Sequence, residues 1–220
     1  MQKNKAILSL IIIILIILIG FYIFVIKQNN IINLGKDTTD EGLGLQDNNN
    51  LLEVDSSEIL NDIIEEKNKI ITDDFSIELP LGWNKIDSTI PGVLAMAINS
   101  NEKINDLAAQ KINFKSYLAI SLDILEEKTI NEYLQTIKNE LQKNIPNIIF
   151  YDETDLVING KTTCAVEAEM IQQGVNFKVL ILVIKQDNEN VWVLSYNTTK
   201  SNWDKYKEEF SNSANSFILK

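Results

Sequence analysis

The sequence predicts an α+β protein: a three-layer α/β/α sandwich on an antiparallel sheet, preceded by one N-terminal transmembrane helix. Three observations predict it. Residues 6–26, "AILSLIIIILIILIGFYIFVI", are apolar and carry no charge. Residues 148–196 read as four strands joined by short turns. Within "VNFKVLILVIK", residues 175–185, apolar side chains occupy both strand parities, so a sheet built from this stretch needs cover on both faces.

The first observation fixes the expected topology. At a rise of about 1.5 Å per residue, some twenty residues cross the roughly 30 Å hydrocarbon core. A cleaved secretory signal has a shorter apolar region and a small-residue cleavage site. Here bulky residues run on to Ile26 and Lys27 follows, which reads as a retained signal anchor. Lys3 and Lys5 precede the span, whereas Lys27 and Lys36 are soon outnumbered by Asp37, Asp40, Glu41 and Asp47. The positive-inside rule then puts residues 1–5 in the cytoplasm and the bulk of the chain outside it.

Residues 27–55 are polar, rich in Asn and Asp, and without sustained periodicity. That is the composition of an acidic, flexible tether, since it buries too little apolar surface to offset its ordering entropy. Residues 56–71 read as an amphipathic helix capped by Ser56 or Ser57. Its stripe of Ile59, Leu60, Ile63, Ile64, Ile70 and Ile71 would pack on the domain or self-associate.

The domain is expected to span residues 73–220. Phe75, Ile77 and Leu79 alternate with Ser76 and Glu78, and Pro80 ends the strand because it offers no backbone donor. Residues 93–98 and 117–125 are further strands. Thr129 and Glu132 make a capping box for a helix whose buried stripe is Ile130, Tyr133, Leu134, Ile137 and Leu141. Residues 148–158 turn at Asn159-Gly160, a strong hairpin signal, into 161–171. Residues 172–174 and 185–190 provide the next turns of a four-stranded meander. Ser201 and Asp204 open a last helix carrying Trp203, Tyr206, Phe210 and Phe217. Trp192 is expected beneath a helix, on one face with Leu194 and Val179.

Composition narrows the chemistry. The net charge is −11, and −13 remains once Lys3 and Lys5 are set aside, so phosphate backbones and anionic headgroups are repelled and nucleic acid is not an expected partner. The basic residues are all lysine, so bidentate guanidinium clamps are absent. Histidine is absent too, and with it the commonest general base and metal ligand. Cys164 is the single cysteine and sits in an apolar-alternating run, as a small core residue would. No cofactor and no metal site are expected.

The strand "FSIELPLGW", the capped central helix, the "VING" hairpin, the strand "VWVLSYNT" and a closing aromatic helix ending "ANSF" occur in that order. In this order they resemble the PsbP-like domains, whose fold is shared with a Ran-binding nuclear import factor and with bacterial envelope lipoproteins. The resemblance covers residues 73–220. It implies an antiparallel sheet with helices on both faces and, as the norm, no enzyme activity. The metal-binding histidines of photosystem members have no counterpart here.

Four residues are candidate binding positions: Asp152, Glu167, Glu169 and Trp83. Counting outward from Asn159-Gly160 sets Asp152 opposite Glu167, and counting from Gln173-Gly174 sets Lys178 opposite Glu169. The expected result is a surface patch that Lys178 balances in part, with a hard cation as the minor reading. Glu167 and Glu169 lie roughly 6.6 Å apart along a strand, which loosely suits an inverting glycosidase pair at about 6.5–9.5 Å. Trp83 either marks a ligand pocket or closes the core. The expected function is therefore a membrane-anchored, extracytoplasmic, non-catalytic binding or scaffold domain that contacts another envelope protein. The alternatives are a carboxylate-dependent hydrolase and a carrier of an apolar ligand.

Overall fold

A computed structural model describes residues 68–88 and 90–220. The expected anchor (6–26), the tether (27–55) and residues 56–67 of the expected amphipathic helix lie outside the described residues. Among the described residues no helix is long and apolar enough to cross a membrane.

The fold is α+β and mostly antiparallel sheet. In chain order its strands are β1 (Lys69–Ile71), β2 (Phe75–Glu78), β3 (Asn84–Ile86), β4 (Val93–Ile98), β5 (Tyr117–Ile124), β6 (Ile149–Ile158), β7 (Lys161–Gln172), β8 (Val175–Lys185), β9 (Asn190–Thr199) and β10 (Ile218–Leu219). The helices are α1 (Leu107–Lys111), α2 (Ile130–Asn144) and α3 (Trp203–Asn215), the last entered through a 3₁₀ turn at Lys200–Asn202. Seven strands form one sheet in the order β3-β4-β5-β9-β8-β7-β6, and β1-β2-β10 form a second.

Local sequence explains the meander at its centre. Asn159 and Gly160 both adopt positive φ, as a two-residue I′ turn requires, and Ile158 pairs with Lys161. Gln173 and Gly174 do the same between Gln172 and Val175. Helix α2 begins at Thr129 with both halves of the capping box formed, and Ile130, Tyr133, Leu134, Ile137 and Leu141 are all buried.

Each face of the large sheet has its own apolar core. Under α2 lie Cys164, Val166, Ala168, Val179, Ile181, Val183, Val191 and Val193. On the opposite face Trp203, Tyr206, Phe210 and Ala214 of α3 pack with Leu182, Ile184, Trp192, Leu194 and Tyr196. The small sheet completes that cover through Ile70, Phe75 and Ile77.

Two expectations are corrected. Lys69–Ile71 form a strand and not the end of a helix, with Ile70 paired to Ile77 and buried while Ile71 points outward. The sequence "KII" fits either period, and the free ladder of β2 selects the strand. Val179 does not share a face with Trp192. Ile184 stands opposite Trp192 and Leu182 opposite Leu194, whereas Val179 stands opposite Asn197 on the α2 face. The residues between paired Lys185 and Val191 decide that parity, and a one-residue difference there exchanges the faces.

Trp192 lies 5.0 Å from the Phe75 ring and 5.8 Å from that of Phe217, and its indole nitrogen donates to Gln186 Oε1 at 2.8 Å. Trp192→Ala should therefore lower stability by about 3–5 kcal/mol in equilibrium urea denaturation. An unchanged midpoint would contradict this packing.

Candidate functional site

The two faces of β8 are not covered equally. Val175, Phe177, Val179, Ile181 and Val183 are buried along the whole strand. The other face grades from exposed Asn176, through half-buried Lys178 and Leu180, to buried Leu182 and Ile184. Strand β7 repeats the gradient, from buried Ala165 through half-buried Glu167 and Glu169 to exposed Ile171.

The path of α3 is the cause. The helix starts where Trp203 meets Lys178, and it ends beside the β6–β7 hairpin, where Asn159 donates to the carbonyls of Asn215 and Phe217. It crosses the sheet obliquely and leaves one corner of β6, β7 and β8 open. Ile149, Tyr151 and Ile171 there are 59%, 42% and 57% exposed.

Lys178 is the centre of this corner. Its Nζ lies 3.0 Å from Glu167 Oε2 and 3.7 Å from Glu169 Oε1. The rings of Tyr151 and Trp203 flank it at 4.7 and 4.6 Å, within cation–π range. Only 13% of its side chain is exposed. Two more lysines complete the balance: Lys200 Nζ is 2.6 Å from Glu169 Oε2, and Lys207 Nζ is 3.3 Å from Glu167 Oε1. Two carboxylates thus meet three ammonium groups, a locally positive spot on a strongly acidic chain.

A bulge places Tyr151 here. Pairing from the hairpin holds as expected to Glu153 opposite Val166, then resumes with Phe150 opposite Ala168. Tyr151 and Asp152 therefore stand together against Glu167, and the simple Asp152–Glu167 pair expected from counting is replaced by this two-on-one arrangement. The extra residue lets Tyr151 face Lys178 while Glu153 faces α2, where it meets Lys138 and Gln135.

Burial pushes the Glu169 carboxyl up, but the Lys200 ammonium and the Tyr151 hydroxyl outweigh it and hold the group below the ordinary carboxylate range. Tyr151 is shifted up, chiefly by donating to Glu169. The oxygens of Glu167 and Glu169 are occupied by ammonium groups, which suits neither a calcium shell of about 6–8 oxygens nor a general acid that must stay protonated.

Trp83 is not part of this corner. It is buried against Tyr206 and Phe210 of α3, with ring centroids 5.9 and 5.6 Å away in edge-to-face contact. It closes the core on the flank of α3 where Ala95 and Ala97 leave room for an indole. Among the described residues a cavity lined by Phe114, Tyr117, Met170, Phe177, Val179 and Asn197 has space for about one water, too little for an apolar ligand.

Sequence reasoning missed Lys200, Lys207, Trp203 and Tyr151 as parts of the site. The first three carried a signal, since positions 200, 203 and 207 fall on one helical stripe. It also missed Glu102, a carboxylate only 4% exposed. Glu102 accepts from the Ser116 backbone at 2.7 Å, from Ser116 Oγ at 2.8 Å and from Asn202 Nδ2 at 2.7 Å, and Tyr206 donates to it as well. Ser116 in turn bonds Thr198 at 2.7 Å. This knot ties the start of β5, the end of β9 and the entry to α3, and so fixes where Trp203 stands.

Two outcomes follow from these contacts. Glu102→Ala strands three or more buried donors, each costing about 1–3 kcal/mol, so it should destabilise the protein by at least about 3 kcal/mol in chemical denaturation. A loss within error would mean water replaces the carboxylate freely. Glu169 has a depressed folded value, so its pairing stabilises the fold above the unfolded carboxylate range and that contribution is lost as pH falls through the folded value. In Lys200→Ala the Glu169 side-chain titration, followed by carbon NMR, should move to higher pH, and a fixed midpoint would remove Lys200 from the account.

No protein-family model matches the sequence, and no curated protein matches it. Solved structures do match. LpqN of Mycobacterium tuberculosis, involved in cell envelope biogenesis, superposes with a TM-score of 0.54 at 12% identity, over 73% of this chain and 96% of LpqN. The cyanobacterial PsbP protein CyanoP of Synechocystis matches with a TM-score of 0.44 at 15% identity, over 66% of this chain and 86% of its own. The Ran-binding protein Mog1p of Saccharomyces cerevisiae matches with a TM-score of 0.42 at 14% identity, over 66% of this chain and 89% of Mog1p. At these identities the likeness is one of fold alone, and it is carried by the superposition on LpqN.

Proposed function

We propose that the chain is a membrane-anchored, extracytoplasmic binding or scaffold protein whose open sheet corner receives another envelope protein. One observation carries this reading: the cover over β6, β7 and β8 stops short, leaving Ile149, Tyr151 and Ile171 exposed around a fixed cluster of charges. Exposed apolar and aromatic side chains bordered by charged ones suit a protein-contact surface. Lys200 and Lys207, each 58% exposed, keep donor capacity toward a partner's carboxylates. The anchor is read from residues 6–26 and the orientation from the lysines before them. That LpqN is involved in cell envelope biogenesis is in keeping with an envelope role for this chain.

The hydrolase alternative is weaker on the chemistry of the corner. An inverting pair needs one carboxylic acid with a raised pKa, and Glu169 is shifted the other way. The carrier alternative would need space behind Trp83, which Tyr206 and Phe210 occupy.

A photo-crosslinking amino acid in place of Ile171, in the full chain expressed in its own cells, tests the proposal. The expected result is one discrete protein adduct that is lost when Lys200 and Lys207 are changed to Glu. The same probe at Leu107, exposed on α1, should give none. Equal adducts at both positions, or adducts indifferent to the lysines, would count against the open corner as the contact surface.

A further inference from the structure

Asn159 and Gly160 are the one Asn-Gly pair in the chain. They form the exposed two-residue turn between β6 and β7, with φ of 46° and 79°. Asparagine is among the chemically labile residues, and glycine after it leaves the next backbone nitrogen without a side chain to shield it. A Cβ built on Gly160 would meet nothing within 4 Å, so no neighbouring element closes the space beside it. The ladder pair Ile158–Lys161 closes the turn from outside and leaves the Gly160 amide out of the ladder.

The Asn159 side chain is a latch. Its Nδ2 donates to the carbonyl of Asn215 at 3.0 Å and to that of Phe217 at 2.8 Å. Both partners are acceptors, so the NH2 and not the Oδ1 must face them, and both of its hydrogens are used. Asn215 ends α3 and Phe217 precedes β10, so one amide holds the helix C-terminus and the start of the last strand. The last turn of α3 has no basic residue to share this task. What the latch holds is part of the core. The Phe217 ring packs on Phe75 at 5.3 Å and on Trp192 at 5.8 Å, and Ile218 and Leu219 pair with Ser76 and Phe75 of β2.

We propose that Asn159 is a site of spontaneous deamidation, and that the reaction unlatches the C-terminal segment from the sheet. The Gly160 nitrogen attacks Asn159 Cγ and gives up its proton. The Cγ–Nδ2 bond then breaks, and Nδ2 leaves with that proton as ammonia. Water opens the resulting succinimide at either carbonyl. One route gives aspartate, and the other gives isoaspartate, whose backbone runs through the side-chain carbon and gains a methylene. One water is consumed for each ammonia released, and nothing is oxidised or reduced.

Either product exchanges two donors for a carboxylate. Its oxygens would face the Asn215 and Phe217 carbonyls, acceptor against acceptor, at the negative end of the α3 dipole. The extra methylene of isoaspartate also breaks the spacing of the two-residue turn. The same hydrogen bonds set the pace of the reaction. Attack turns the planar amide carbon tetrahedral, and an NH2 held by two carbonyls resists that change. The latch must therefore open locally first, so folding slows the reaction without abolishing it. The site stands apart from the corner around Lys178, which lies at the other end of α3.

Ageing of the purified full chain in detergent micelles tests the proposal. Samples are held at mildly alkaline pH, natively or in urea, and read by peptide mapping that separates asparagine, aspartate and isoaspartate. Conversion at Asn159 should proceed in the native chain, roughly tenfold or more slowly than in urea. The converted chain is then separated by ion exchange on its added negative charge. Its amides at residues 216–220 should exchange at least about tenfold faster than before, with those at residues 179–183 unchanged. Asn159→Gly keeps the turn and lacks the amide, and should speed the same amides without any chemical conversion. Equal conversion rates natively and in urea would overturn the latch. An intact Asn159 in the native chain after full conversion in urea would overturn the modification. Unchanged exchange at residues 216–220, in the converted chain or in Asn159→Gly, would overturn the release.

Discussion

Strand β8 has apolar side chains on both faces, and so does its neighbour β9. A sheet with such a pair at its centre cannot leave either face to water, because burial of apolar area is the dominant favourable term in folding. The rest of the chain is arranged around that requirement. Helix α2, with α1 and the residues around it, covers the core of one face. The second face takes α3, the strands of the small sheet and a set of large aromatic residues that fill the space beneath them. Phe210 alone stacks on Tyr196 and Tyr206 and meets Trp83 and Trp203 edge-on.

The same requirement explains where the surface stays open. One oblique helix and a three-stranded sheet do not span seven strands, and the shortage falls on the outer end of β6, β7 and β8. There the sequence changes character with the cover. Leu182 and Ile184 give way to Lys178 and Asn176 along β8, and Ala165 gives way to Glu167 and Glu169 along β7. The charges are not simply solvated. Lys178 is held by two carboxylates and two rings, and removing one member of such a partly buried set leaves the others uncompensated. A fixed polar centre with exposed apolar residues around it is a specific surface, and the Glu102 knot behind Trp203 keeps it in register with the core.

What could be read in advance, and what could not, follows from the range of each signal. The Asn159-Gly160 turn, the Thr129 capping box and the double parity of β8 are local or short-range, and all three appear as expected. The Glu169–Lys178 pairing was legible because a two-residue turn fixes it. The bulge at Tyr151 and Asp152 was not, because one extra residue in a ladder leaves no trace in composition. The face of Val179 depended on a turn whose geometry its residues do not specify. Glu102 sits in a polar stretch that reads as solvated loop, and only the distant Ser116, Asn202 and Tyr206 make it a buried carboxylate. Trp83 read as core ahead of pocket, and its edge-to-face contacts with Tyr206 and Phe210 of α3 place it in the core.

The central claim is that cover on the second sheet face ends between Leu182 and Lys178, and that the corner beyond is free to be contacted. Carbene footprinting of the purified full chain, quantified residue by residue, measures this directly. The account predicts labelling at Ile149, Tyr151 and Ile171, with Leu182, Ile184, Val179 and Ile181 unlabelled. Labelling of Leu182 and Ile184 at the level of Ile171, or protection of Ile149 and Ile171 in the isolated chain, would contradict it.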